Sequence, residues 1–164
     1  MKLVNRFLVI FFLLTIIGPT AQAREEGGVT LTSTILRQVE LENEKGEKEI
    51  DLVPVDKALP GEELIIRITY TNSGSDPVEN IVIVNPVPDQ TSYLVGSASG
   101  DFTLVTFSID GGGGFDLPEN LTVEDEEGSR KPAPPEIYTH IRFRRIQALQ
   151  PGQTDNVSFR AVLK

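Results

Sequence analysis

The sequence predicts an all-β fold, an antiparallel β-sandwich of 7–9 strands preceded by a cleavable signal peptide. Three observations predict it. Short runs rich in Val, Ile, Thr, Phe and Tyr recur along the chain, a composition suited to pleated, half-buried strands. Fourteen glycines and eleven prolines fall between those runs. Beyond residue 23 no run repeats with the 3.6-residue period of an amphipathic helix. A single antiparallel sheet would leave one apolar face in water, so two facing layers are required.

Residues 1–23 carry the marks of a leader. Lys2 and Arg6 give a positive start, Phe7 to Ile17 form an apolar run, and Ala21-Gln22-Ala23 supplies the small-x-small cleavage pattern. The run is shorter than the roughly 20 apolar residues that span a bilayer. The expected organisation is therefore a signal peptide over 1–23 and a β-sandwich domain over 24–164. No stable membrane insertion is expected after cleavage.

The strands follow in order. Val29 to Leu41 alternates with period two, with some flaws, Asn43 to Gly46 turns the chain, and Ile50 to Val53 returns. Pro60-Gly61 opens the clearest strand, in which Leu64, Ile66, Ile68 and Tyr70 share a face. Asn72-Ser73-Gly74 turns again. Val78 to Val84, nearly all β-branched or apolar, reads as a central strand ended by Pro86 and Pro88, which cannot donate to a ladder. Phe102 to Ile109, Ile137 to Phe143 and Val157 to Leu163 complete the set. In the last, Val157, Phe159, Ala161 and Leu163 point inward. Pro86, Pro88 and the charges of Lys45 to Glu49 read as edge protection.

Gly111 to Pro135 is irregular, with four glycines (Gly111 to Gly114), the acids Glu124 to Glu127 and the Pro132 to Pro135 cluster. It is either an insertion carrying a short strand (Leu121 to Val123) or a functional loop.

Charge and composition exclude several chemistries. The leader holds two of the fifteen basic residues and none of the twenty-four acidic ones. The processed chain thus carries 13 basic against 24 acidic residues, a net −11. Such a surface repels phosphate backbones, so no nucleic-acid partner is expected. The chain has no cysteine, which removes disulfides, thiol catalysis and thiolate metal sites. His140 is the only histidine; alternation places it with Tyr138, Arg142 and Arg144 on an outer face, with Ile137, Ile141 and Phe143 inward. No catalytic residues are assigned. Asp110, Asp116, Asp125 and Glu126 are weak calcium candidates, because glycines let carbonyls turn toward a hard cation, but their spacing fits no known calcium loop. No cofactor is expected. Arg142, Arg144 and Arg145 form the one compact basic cluster, of which Arg142 and Arg144 are expected on the outer face against carboxylates such as those of Glu124 to Glu127.

Several segments resemble the bacterial conserved-repeat domain of unknown function found in prokaryotic surface and secreted proteins. They are Leu59 to Gly74, Val78 to Pro88, Tyr93 to Ala98, Phe107 to Gly112 and Leu149 to Thr154. The resemblance implies an immunoglobulin-like sandwich with a structural or adhesive role and no catalytic residues. Some members of that family are able to form a Lys–Asn isopeptide bond from a first-strand lysine. Here the first strand carries Arg37 instead, and Lys57 sits in a Pro-bounded loop, which argues against such a link.

The resulting expectation is a non-enzymatic structural or interaction module of the bacterial cell envelope, periplasmic or secreted, with a protein partner. Two rivals stand beside it. One is a calcium- or carbohydrate-dependent adhesion module using the Gly111 to Glu127 loop, although the chain has no tryptophan and only three tyrosines to form a sugar platform. The other is a small hydrolase, which needs paired carboxylates in a cleft.

Overall fold

The computed structural model describes residues 28–43 and 46–164, so the leader expected over 1–23 lies outside the described residues. Eleven strands are described: β1 (Val29–Glu42), β2 (Lys48–Pro54), β3 (Glu63–Asn72), β4 (Val82–Pro86), β5 (Thr91–Tyr93) and β6 (Ser99–Gly100), then β7 (Thr103–Ser108), β8 (Thr122–Glu124), β9 (Arg130–Pro132), β10 (His140–Arg145) and β11 (Thr154–Leu163). Two 3-10 turns, Pro118–Asn120 and Pro135–Ile137, are the only helical elements among the described residues.

The strands form a sandwich-like pair of antiparallel sheets. The large sheet runs β2-β1-β3-β11-β5, with β6 also paired to β11; the small one runs β4-β10-β7. A separate β8–β9 hairpin occupies the Gly111 to Pro135 segment. Alternation builds the core, as expected. Leu64, Ile66, Ile68 and Tyr70 of β3 and Val157, Phe159 and Ala161 of β11 face Ile83, Phe107, Ile141 and Phe143 of the small sheet in one buried cluster. Each of the larger aliphatic and Phe side chains stabilises the fold by roughly 1.5–3 kcal/mol relative to an exposed one.

The layers meet unevenly. At one margin Tyr93 of β5 lies over Phe107 of β7, their rings 5.3 Å apart, and Tyr138 and Phe159 join them. Toward the other margin, Ile83 of β4 shares one small void with Tyr70 of β3, Val157 of β11 and Phe143 of β10, so β4 packs toward the β3–β11 part of the large sheet. Beyond β3 the large sheet continues into β1 and β2, with no third-layer strand among the described residues above them.

Three elements differ from the sequence expectation. The Val78 to Val84 run is not a central strand: only Val82–Pro86 forms β4, and it lies at the edge of its sheet. Asn80 adopts a left-handed φ of 56°, which breaks the run, and Val78 is left with an isolated bridge to Leu149. The Ile137 to Phe143 strand starts only at His140, because Pro134 and Pro135 lead into a 3-10 turn. That turn resets the alternation, so Tyr138 is buried and Ile137 is exposed, the reverse of the expectation. The irregular segment is partly core: Leu121 and Ala133 are buried beneath the β8–β9 hairpin, whose first strand begins at Thr122 rather than Leu121.

Asn72, expected as a turn residue, is fully buried. Its amide donates to the carbonyls of Asp76 (2.8 Å) and Leu149 (2.9 Å), and its side-chain oxygen accepts from the Gly74 N–H. One side chain thus holds the β3–β4 turn to the strand entry at Leu149.

Candidate interaction surface

His140 sits at the rim of an open cleft of about 360 Å³ that also touches Pro86, Asp89, Glu136, Thr139 and Lys164. Its Nδ1 lies 3.2 Å from the Thr139 hydroxyl. That hydroxyl donates to the Ser108 carbonyl and accepts from the Gly111 N–H. With the Thr139 hydroxyl directed at the Ser108 carbonyl, its proton is engaged in the backbone and not held out toward the imidazole. The Ser108 hydroxyl is buried and donates to Asp110 at 2.6 Å. These groups brace the loop beside His140.

Gly111 and Gly112 both take left-handed φ values, 79° and 92°, and a Cβ on Gly112 would stand 3.7 Å from the imidazole. The glycines let the chain turn tightly under Asp110, whose carboxylate accepts the N–H groups of Gly113 and Gly114 at 2.9 and 3.0 Å. The Ser108 hydrogen bond, followed by these backbone donors, holds the Asp110 carboxyl below the ordinary carboxylate range. Asp116 is lowered likewise by Asn120 and the Leu117 N–H, and Asp125 by Lys131 and the N–H groups of Ser129 and Glu127. Glu126 is exposed. Each aspartate among the four calcium candidates is thus engaged in its own turn. Among the described residues no three His, Asp or Glu side chains gather as metal ligands.

The basic cluster separates into three different environments. Arg142 stacks its guanidinium 4.6 Å above the Phe115 ring and donates to Thr106. Arg144 is exposed on the outer face of the small sheet, in register with Val82 on one side and Leu104 on the other, and makes no salt bridge among the described residues. Arg145 is buried, pairing with Asp155 and donating to the Tyr70 hydroxyl at 3.1 Å. Burial opposes its charge, but the Asp155 and Tyr70 hydrogen bonds outweigh that and raise its pKa. Neither Arg142 nor Arg144 contacts the Glu124 to Glu127 acids as expected. The signal for Arg145 was present: it continues the inward alternation of Ile141 and Phe143.

An exposed apolar feature lies at the β1–β4 margin. Leu31, Ser33 and Ile35 stand opposite Tyr70, Ile68 and Ile66 across the β1–β3 ladder, so they share the core-facing side of the large sheet. Yet Leu31 is 56% and Ile35 43% exposed. Above them β4 ends its sheet, and its outer edge pairs with no strand among the described residues. The hydrogen bonds Val87 N–H to Thr139 and Arg145 N–H to Ile81 fix the phase of the ladder. The odd residues Ile81, Ile83, Asn85 and Val87 address β10, leaving the peptide groups of Val82, Val84 and Pro86 at the free edge. Val82 and Val84 are about half exposed on the outer face. No sequence pattern announced this margin: the flawed period-two alternation of Val29 to Leu41 marks a strand but not which of its faces is covered.

No protein family, curated protein or solved structure compared with the chain matches it.

Proposed function

We propose that the chain is an exported, non-enzymatic interaction module of the bacterial cell envelope, built on an immunoglobulin-like β-sandwich. The single observation that carries the reading is the β1–β4 margin, where a core-facing apolar strip and an open strand edge lie side by side. Soluble sandwiches ordinarily cover or charge such edges. Export is supported by the Ala21-Gln22-Ala23 pattern behind an apolar run, and by a cysteine-free core that suits any redox compartment. The immunoglobulin-like assignment is supported by the order of segments that resemble the bacterial conserved-repeat domain, set on two antiparallel sheets. Against a catalytic role stands the spending of Ser108, Thr139 and Asp110 on loop hydrogen bonds.

The test is to recover the protein from the envelope of cells that make it, sequence its N-terminus and identify what cross-links to it. The reading predicts a chain beginning at Arg24, outside the cytoplasm, with a protein cross-linked through the β1–β4 margin. A cytoplasmic chain starting at Met1, or turnover of a small substrate lost on substituting His140, would refute it.

A further inference from the structure

We infer that the outer edge of β4 accepts one extended segment of a protein partner as an added strand, with apolar side chains facing Leu31 and Ile35 and acidic ones facing out near Arg144. This rests on the interaction-module reading and specifies its site and partner chemistry.

The geometry selects a single strand. At the level of Leu31 to Ile35 the large sheet overhangs β4 by β1 alone, about one strand spacing of 4.8 Å. A strand laid beside β4 would cover β1 in the same way that β4 covers β3. Val82 and Val84 each offer it an N–H and a carbonyl, and Pro86, lacking an N–H, ends the ladder. Inward side chains of the added strand, two residues apart, would meet Leu31 and Ile35, which alternate around Ser33. A second copy offering its own β4 fits poorly. Two-fold pairing of β4 edges keeps both large sheets on the same side, so the partner copy's β3 would fall where β1 already lies.

The charge preference follows from the outer face. Outward side chains of the added strand would lie beside Val82, one strand away from Arg144. Arg144 is the exposed cation there with no acidic partner among the described residues, whereas Arg142 is turned toward Phe115 and Thr106. The chain as a whole carries twenty-four acidic against fifteen basic residues, so this local excess of positive charge selects acid at that position.

The experiment uses the processed protein and a synthetic seven-residue peptide alternating Val and Glu. Its controls are a peptide of the same composition with the valines contiguous and an alternating Val–Lys peptide. Binding is read by calorimetry and by amide hydrogen exchange. The expected result is slowed exchange at Val82 and Val84 with the alternating acidic peptide alone. Affinity should fall about tenfold in Val84→Pro, which removes one edge donor and adds a steric block, and similarly in the exposed-site variant Leu31→Glu. Thermal melting checks that both variants fold; if Val84→Pro does not, Leu31→Glu decides. Equal binding of all three peptides, unchanged exchange at Val82 and Val84, or concentration-dependent dimerisation lost in Val84→Pro overturns the inference. Cross-linking in envelope extract separates the two levels. A partner retained equally by wild type and Leu31→Glu sinks the edge site while the module reading stands, and no cross-linked partner for either sinks both.

Discussion

The two margins of the sandwich both present apolar side chains on the core-facing side of the large sheet and end in opposite states. At the β5–β7 margin, Tyr93, Phe107, Tyr138 and Phe159 close the layers with ring centroids 4.8–6.4 Å apart. At the β1–β4 margin, Leu31 and Ile35 occupy equivalent core-facing positions and remain about half exposed. The difference lies in strand count. Three strands cover β3, β11 and β5, and none is left for β1. The closed margin stabilises the fold; the open one has apolar area to contribute only when something covers it.

That contrast can be broken at four places. The largest effect is expected at the closed margin: Phe159→Ala should cost about 3–5 kcal/mol in denaturant unfolding, since Phe159 is fully buried and leaves a cavity. A loss below about 1 kcal/mol would mean the aromatic margin does not hold the layers. Next, Asp155→Ala should cost about 3 kcal/mol, because it strands the buried Arg145 charge between the sheets; a double-mutant cycle with Arg145→Met should recover much of that loss.

A smaller, pH-dependent effect is expected at the glycine loop. The folded pKa of Asp110 lies below its unfolded value, so the ionised carboxylate stabilises the fold. That stabilisation is complete above the ordinary carboxylate pKa of about 4 and disappears as pH falls through the depressed value. Asp110→Asn should therefore melt lower than wild type at neutral pH, with the gap closing in acid. A gap that is constant with pH would place the effect elsewhere. The smallest effect belongs to the open margin. Leu31→Ala should change the stability of the free protein by no more than about 0.5 kcal/mol, a value that a hidden covering strand would raise severalfold.

Much of the fold was legible because alternation is local. β3 and β11 declare their inward faces residue by residue, and their partners in the large sheet follow. What local pattern cannot carry is the number of strands in the opposite layer, so nothing in the alternation of Val29 to Leu41 marked Leu31 and Ile35 as uncovered. Nor does it carry phase across a turn. The 3-10 turn at Pro135–Ile137 reversed the faces of Ile137 and Tyr138, and the left-handed Asn80 shortened a run of β-branched residues into an edge strand. The candidate acids were visible as a cluster in sequence, but their hydrogen bonds to separate turns depend on backbone geometry that composition does not encode. Arg145 was hidden among neighbouring arginines, and only the parity of its position distinguished it.

Amide hydrogen exchange along β4 in the free protein bears most directly on whether this margin is unoccupied. Exchange at Val82 and Val84 should be rapid while Ile83 and Asn85, bonded to β10, are protected. Protection of all four amides alike would mean that the edge is already paired, and no place would remain for a partner's strand.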